Sequence, residues 1–146
     1  MIKYRENQTD IFLVDLRDLI SSKVEFLSGK FSILFDSFDI LGLYVYDSFS
    51  LECYYDIRKI GGSFLVKLNI RSSIPVFCDI CGEEFNYHFS LDVEEIFTEY
   101  FEYKKNFHDM YYFIFNGYEL DVGKICIDNF ISNLPIKFEN GCKNKS

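Results

Sequence analysis

Between Leu51 and Val93 the chain places apolar side chains at every second residue in three successive runs. In the first, Leu51, Cys53, Tyr55 and Ile57 share one parity, and Glu52, Asp56 and Arg58 share the other. In the second, Phe64, Val66, Leu68 and Ile70 alternate with Ser63, Lys67 and Asn69. In the third, Phe85, Tyr87, Phe89, Leu91 and Val93 alternate with Asn86, His88, Ser90, Asp92 and Glu94. Successive side chains of a strand point to opposite faces, so each run reads as a strand with one wet and one buried face. The joints fix the connections. Gly61-Gly62 readily supplies the positive φ values of a tight hairpin turn. Cys78-Asp79-Ile80-Cys81-Gly82 reads as the next chain reversal. Ile74 to Phe77 reads as a further strand after Arg71-Ser72-Ser73, and Pro75, with no amide hydrogen for a ladder, puts it at an edge or bulge. The pattern predicts an antiparallel meander.

The flanks are less regular. Residues 1–10 read as a loose polar start. In 11–20, Leu16, Leu19 and Ile20 fit a short helix face with Asp15 as its N-cap, and Ile11, Leu13 and Val14 fit a strand equally well. Short apolar runs suggest strands around 30–35 and 41–46. Residues 97–110 are charged and aromatic and read as a loop. Tyr111 to Phe115 suggests a short strand, Asn116-Gly117 a turn, and Tyr118 to Leu120 another strand. Asp121 then caps a helix over 122–132, with Val122, Ile125, Cys126, Phe130 and Ile131 as its apolar face. Leu134-Pro135 ends it, because the residue before proline avoids the helical region. The last residues, KFENGCKNKS, read as a frayed tail. The expected fold is α+β: one domain over 1–146, a small, mostly antiparallel sheet or partly closed barrel, with a C-terminal helix after the sheet. With 146 residues and 49% apolar content, a core can form without metal or disulfide staples.

Charge narrows the partners. Residues 1–73 carry 10 acids and 9 bases, and residues 74–146 carry 13 acids and 6 bases. Nucleic-acid binding draws much of its affinity from Lys and Arg neutralising phosphates, so the second half disfavours a broad RNA surface. It suits a basic partner protein. In the first half Arg58, Lys59, Lys67 and Arg71, with Tyr54 on the parity of Arg58, form a small basic-aromatic patch. Such a patch can contact RNA by phosphate pairing and stacking, or stand as an ordinary solvated face. No apolar run approaches membrane-spanning length and no signal peptide is read, so a reducing cytoplasm is expected. Five cysteines, an odd number, also argue against a secreted disulfide framework.

Cys78 and Cys81 are the one motif with chemical shape. Two thiolates at this spacing make half of a tetrahedral zinc site. The candidate further ligands are Cys142, His108, His88 and Cys126, none of them a second close pair. The alternative is a turn without metal. A thiol redox pair belongs at a helix N-terminus, and here strands flank it on both sides. No nucleophile elbow, phosphate loop or dinucleotide fingerprint is present, and the acidic pairs Glu83-Glu84 and Glu94-Glu95 read as solvated charges. No catalytic residue and no small-molecule substrate are expected.

The run from Leu51 through Phe97, centred on PVFCDICGEEF, resembles the YceD family, which is linked to accumulation of large-subunit ribosomal RNA. Cys78, Cys81, Gly82 and Phe85 match the family's strand–turn–strand centre, and Phe97 matches the Phe beyond it. A second block, YELDVGKICIDNFISNLP, is similar to the family's strand–helix segment, with Glu119, Leu120, Asp121, Leu134 and Pro135 in the matching places. Cys142 falls near a cysteine that follows the Leu-Pro in many members. Residues 51–142 carry the likeness. Ile80 stands where the family usually has Arg, and the second cysteine cluster of some members is represented only by Cys142. The resemblance implies a bacterial, cytoplasmic, non-enzymatic ribosome biogenesis factor that supports 23S ribosomal RNA and the large subunit. Its expected partner is the precursor 50S particle or its RNA, a ribosomal protein or a processing factor, with zinc as an optional cofactor. The alternative is a small zinc-knuckle adaptor or protein-interaction module with no direct role in ribosomal RNA.

Overall fold

A computed structural model describes residues 2–4, 11–36, 45–98, 112–114, 118–135 and 137–139. The elements run β1 (Ile2–Lys3), β2 (Leu13–Asp15), α1 (Arg17–Ile20), β3 (Phe26–Phe35), β4 (Phe49–Ile60), β5 (Ser63–Phe77), β6 (Glu84–Thr98), β7 (Phe113–Ile114), β8 (Glu119–Asp121) and α2 (Val122–Ser132). Ile2 and Lys3 of the expected loose start form β1, Phe97 and Thr98 of the expected 97–110 loop end β6, and Phe138 of the expected frayed tail is buried. The expected strand at 41–46 is described only at Val45 and Tyr46, and the Asn116-Gly117 turn lies outside the described residues.

The three alternating runs fold as predicted. β3, β4, β5 and β6 form an antiparallel meander, with β1 added in parallel beside β3, in the order β1-β3-β4-β5-β6. Among the described residues the sheet is open, with β1 and β6 at its edges, so it is not a closed barrel. Gly61 has φ +58°, and the two-residue turn sets Ile60 opposite Ser63. A smaller sheet, β2-β8-β7, lies alongside. The ambiguous 11–20 segment resolves into both readings in sequence, strand β2 and then the one-turn helix α1. The N-cap of α1 is Leu16 rather than Asp15, although the Asp15 carboxylate still accepts the Arg17 amide at 2.9 Å.

A further expectation fails. Ile74 to Phe77 is not a separate strand but the end of a continuous 15-residue β5. β6 pairs along its whole length, from Ser63↔Thr98 to Phe77↔Glu84, so the Arg-Ser-Ser step never interrupts the ladder. Pro75 still sits where proline is tolerable. The β4 ladder stops at Leu51↔Ser72, and beyond it the described residues place on that side the Val45↔Val76 bridge and the Tyr46 amide, bonded to the Pro75 carbonyl at 3.1 Å.

The core lies between the inner face of the large sheet and α2. Phe64, Val66 and Ile70 from β5 are fully buried there, as are Leu51, Cys53 and Ile57 from β4. Phe130 of α2 sits among three rings: Phe89 at 5.0 Å and near-perpendicular, Phe35 at 5.7 Å and Phe49 at 6.2 Å. Aromatic pairs at such offsets add to what their burial contributes. The opposite face of the sheet meets water.

Candidate functional site

The Cys-x-x-Cys turn joins β5 to β6. Its backbone is closed from within: the Cys78 amide donates to the Glu83 carbonyl at 2.8 Å and the Gly82 amide to the Cys78 carbonyl at 2.9 Å. Gly82 has φ +73°, a conformation that side chains with a Cβ rarely take. The turn is also clasped from outside. The Asp79 amide donates to the Phe138 carbonyl at 2.8 Å, and the Phe138 amide returns a bond to the Asp79 carboxylate at 2.7 Å. The Phe138 ring then packs edge-on against Tyr87 at 5.0 Å. Cys78 is buried and Cys81 half-buried, while Ile80 between them points into solvent.

Among the described residues no three Cys, His, Asp or Glu side chains gather as a metal-binding group. Cys142 and His108 lie outside those residues. His88 is exposed on the water-facing side of β6, as its parity predicted. Cys126 is accounted for elsewhere: it is buried on α2 with its thiol pushed well above the ordinary range by a hydrogen bond with Cys53 and by burial. Cys78 follows a strand, whereas thiol redox pairs sit at a helix N-terminus.

Tyr54, Arg58, Lys67 and Arg71 share the outer face of the sheet, but the ladder interleaves them with acids. Lys67 stands between Asp56 on β4 and Glu94 on β6, and Arg71 opposite Glu52. Tyr54 lies between Lys30 and Asn69, with Asp92 beyond. The Arg58 guanidinium pairs with Asp56 at 3.0 Å, which strengthens its hold on its proton, and also lies 5.1 Å from the centre of the exposed Phe26 ring. Lys59 is not part of the patch. Its parity puts it on the inner face at the end of β4, where Nζ reaches the Ile20 carbonyl at 3.3 Å. A shallow groove along these rows is lined by Tyr54, Asp56, Lys67, Asn69, Asp92 and Glu94. The face is charge-alternating rather than basic. Alternation of this kind stabilises cross-strand pairs and leaves little net field to attract a polyanion.

The second block of matching residues is built around Asp121. Its carboxylate accepts the amides of Ile11 at 3.1 Å, Phe12 at 3.0 Å and Lys124 at 3.1 Å. The last of these is the predicted helix cap; the first two were not visible in the sequence. Leu120 beside it is fully buried, and Glu119 is half-buried and pairs with Asp15 across β2 and β8. Leu134 and Pro135 follow the Asn133 C-cap and are half-buried. In the first block Phe97 is buried against the Tyr112 ring at 5.7 Å, and Phe85 is half-buried on the inner face.

Compared with known proteins, the chain matches no family model, no curated protein and no solved structure. No helix among the described residues is long and apolar enough to cross a membrane.

Proposed function

We propose that the protein is a non-enzymatic ribosome biogenesis factor of the YceD type, supporting accumulation of 23S ribosomal RNA and the large subunit, and that it works through contact with a protein. The reading rests on the resemblance of two sequence blocks. The observation that supports it most is the joining of those blocks. Asp79 in the cysteine turn exchanges two hydrogen bonds with Phe138, three residues beyond the Leu-Pro that closes the second block. The turn of the first block is thereby tied to the chain just past the second. The charge-alternating outer face favours a protein contact or a small RNA footprint over wrapping of RNA.

The test is growth of the source cells without the gene, scored by the ratio of large- to small-subunit ribosomal RNA, together with sedimentation of the tagged protein. A lowered ratio and co-migration with precursor 50S particles are expected. An unchanged ratio with free migration at low salt rejects the proposal.

A further inference from the structure

Among the described residues β6 is the last strand of the sheet. It is 15 residues long, about 50 Å of extended chain, and its ladder runs to β5 alone; among the described residues nothing pairs with its other side. A sheet edge of this length presents alternate N–H and C=O groups that another extended chain can take up. Its inward side chains are also unfinished. Leu68 and Ile70 of β5 are buried, as are Phe89 and Phe97 of β6 on the same face, whereas the ladder partners of the first two, Val93 and Leu91, and Phe85 and Tyr87 further along β6, are only partly covered. A further strand would cover them.

The charge of β6 selects the occupant. It carries Glu84, Asp92, Glu94 and Glu95 and neither Lys nor Arg. Glu94 and Asp92 lie on the outer face, while Glu95, opposite Val66, points inward. A second copy of the chain would bring these carboxylates against their own kind, and like charges across a ladder are destabilising. RNA meets the same repulsion. We propose that the side of β6 away from β5, around Leu91 to Glu94, is a docking site for an extended basic segment of a partner protein, one whose side chains alternate between Lys or Arg and apolar residues. The basic side chains lie over Asp92 and Glu94, and the apolar ones extend the inner face past Leu91 and Val93. The edge and its charge belong to this chain whether or not it acts on ribosomal RNA.

The experiment uses the full chain and a synthetic peptide of about ten residues alternating Lys and Val, labelled for fluorescence anisotropy. Two companions are a Glu-Val version and a Lys-Val version interrupted by prolines, which remove amide donors but keep the charge. The Lys-Val peptide is expected to bind, to lose about tenfold in affinity against Asp92→Lys/Glu94→Lys, and to slow amide exchange in 84–98 while leaving β3 unchanged. The proline version is expected to be weaker by about tenfold as well. Equal binding of the proline version overturns the proposal, because attraction is then charge alone. So does slow exchange along both sides of β6 in the unliganded protein, because the chain then covers its own edge.

Discussion

The carboxylate of Asp121 accepts the backbone amide of Ile11 at 3.1 Å across 110 residues of chain. With the amide of Phe12 bonded to the other oxygen at 3.0 Å, one side chain both starts α2 and fastens the N-terminal segment to it. Asp121 is 2% exposed, so water replaces little of what its removal leaves open. Truncation to Ala strands buried donors and removes the helix cap; such losses run to about 1–3 kcal/mol for an unsatisfied buried group and about 1 kcal/mol for a cap. Asp121→Ala is therefore expected to lower urea-unfolding stability by about 3 kcal/mol, and Asp121→Asn, which keeps one acceptor, by less. Equal effects of the two would show that the oxygen Asn retains has no role.

Gly123 lies one residue into the helix from Val122, directly under the segment that Asp121 holds. A Cβ there would sit 2.5 Å from Ile11 Cγ2 and 2.8 Å from the backbone nitrogen of Phe12. Backbone cannot step aside as a side chain can, so Gly123→Ala is expected to cost about 1–3 kcal/mol despite the better helix propensity of Ala. Gly29→Ala is the contrasting case. Its Cβ meets the Tyr55 hydroxyl at 2.6 Å, the far end of a side chain that can rotate away. Chemical denaturation of both variants is expected to rank Gly123→Ala as the worse, and the reverse order would count against the close packing of α2 on residues 11–12.

Phe130 is one of the buried residues through which α2 packs on the sheet, with Phe35, Phe49 and Phe89 around it. Phe130→Ala leaves a cavity among rings that belong to three different strands, which cannot all collapse into it. The expected loss is about 3–5 kcal/mol, and Phe130→Leu should recover most of it. Thermal unfolding followed by circular dichroism gives the comparison; a loss in Phe130→Ala no greater than in Phe130→Leu would mean that the site relaxes freely.

The thiols provide a test that does not involve substitution. Cys53, Cys78 and Cys126 are buried and Cys81 is half-exposed. In native protein, labelling followed by mass spectrometry should modify Cys81 before the other three of these thiols, with Cys53 and Cys126 reacting only as the protein opens. The hydrogen bond with Cys53 and burial hold the Cys126 thiol above its ordinary range. Raising the pH to about 9 should therefore leave Cys126 unlabelled, although an exposed thiol is largely ionised there. Early labelling of Cys126 would contradict the placement of α2.

Much of the meander was readable because period-two patterning and a Gly-Gly turn are local signals. The same turn held more than the reading took from it. Once Ile60 faces Ser63, Lys67 must face Asp56 and Arg71 must face Glu52, so the neutralisation of the basic patch follows from counting along the hairpin. The placement of Lys59 on the opposite face follows from parity alone. Other features have no local signal. The Asp121 cap was legible from the step into an apolar helix, but its bonds to Ile11 and Phe12 depend on where the N-terminal segment packs. The clasp of Asp79 with Phe138 is equally non-local. The length of β5 was underestimated because Arg71-Ser72-Ser73 and Pro75 look like a break, whereas continuous pairing with β6 decided the outcome.

Lys67 carries the sharpest electrostatic prediction. It stands between Asp56 and Glu94 on the exposed face, so Lys67→Gln removes attractions that are individually weak in water, and a change within about 0.5 kcal/mol is expected. Lys67→Glu instead lines up three carboxylates across neighbouring strands, and like charges directly opposite oppose pairing. About 1–2 kcal/mol of destabilisation is expected at low ionic strength, shrinking in 1 M salt, where screening acts over about 3 Å. A loss in Lys67→Glu that salt leaves unchanged would mean that Lys67 supports the sheet by packing its alkyl stem. In that case Lys67→Gln should be nearly as damaging as Lys67→Glu, so the pair of variants separates charge from contact on this face.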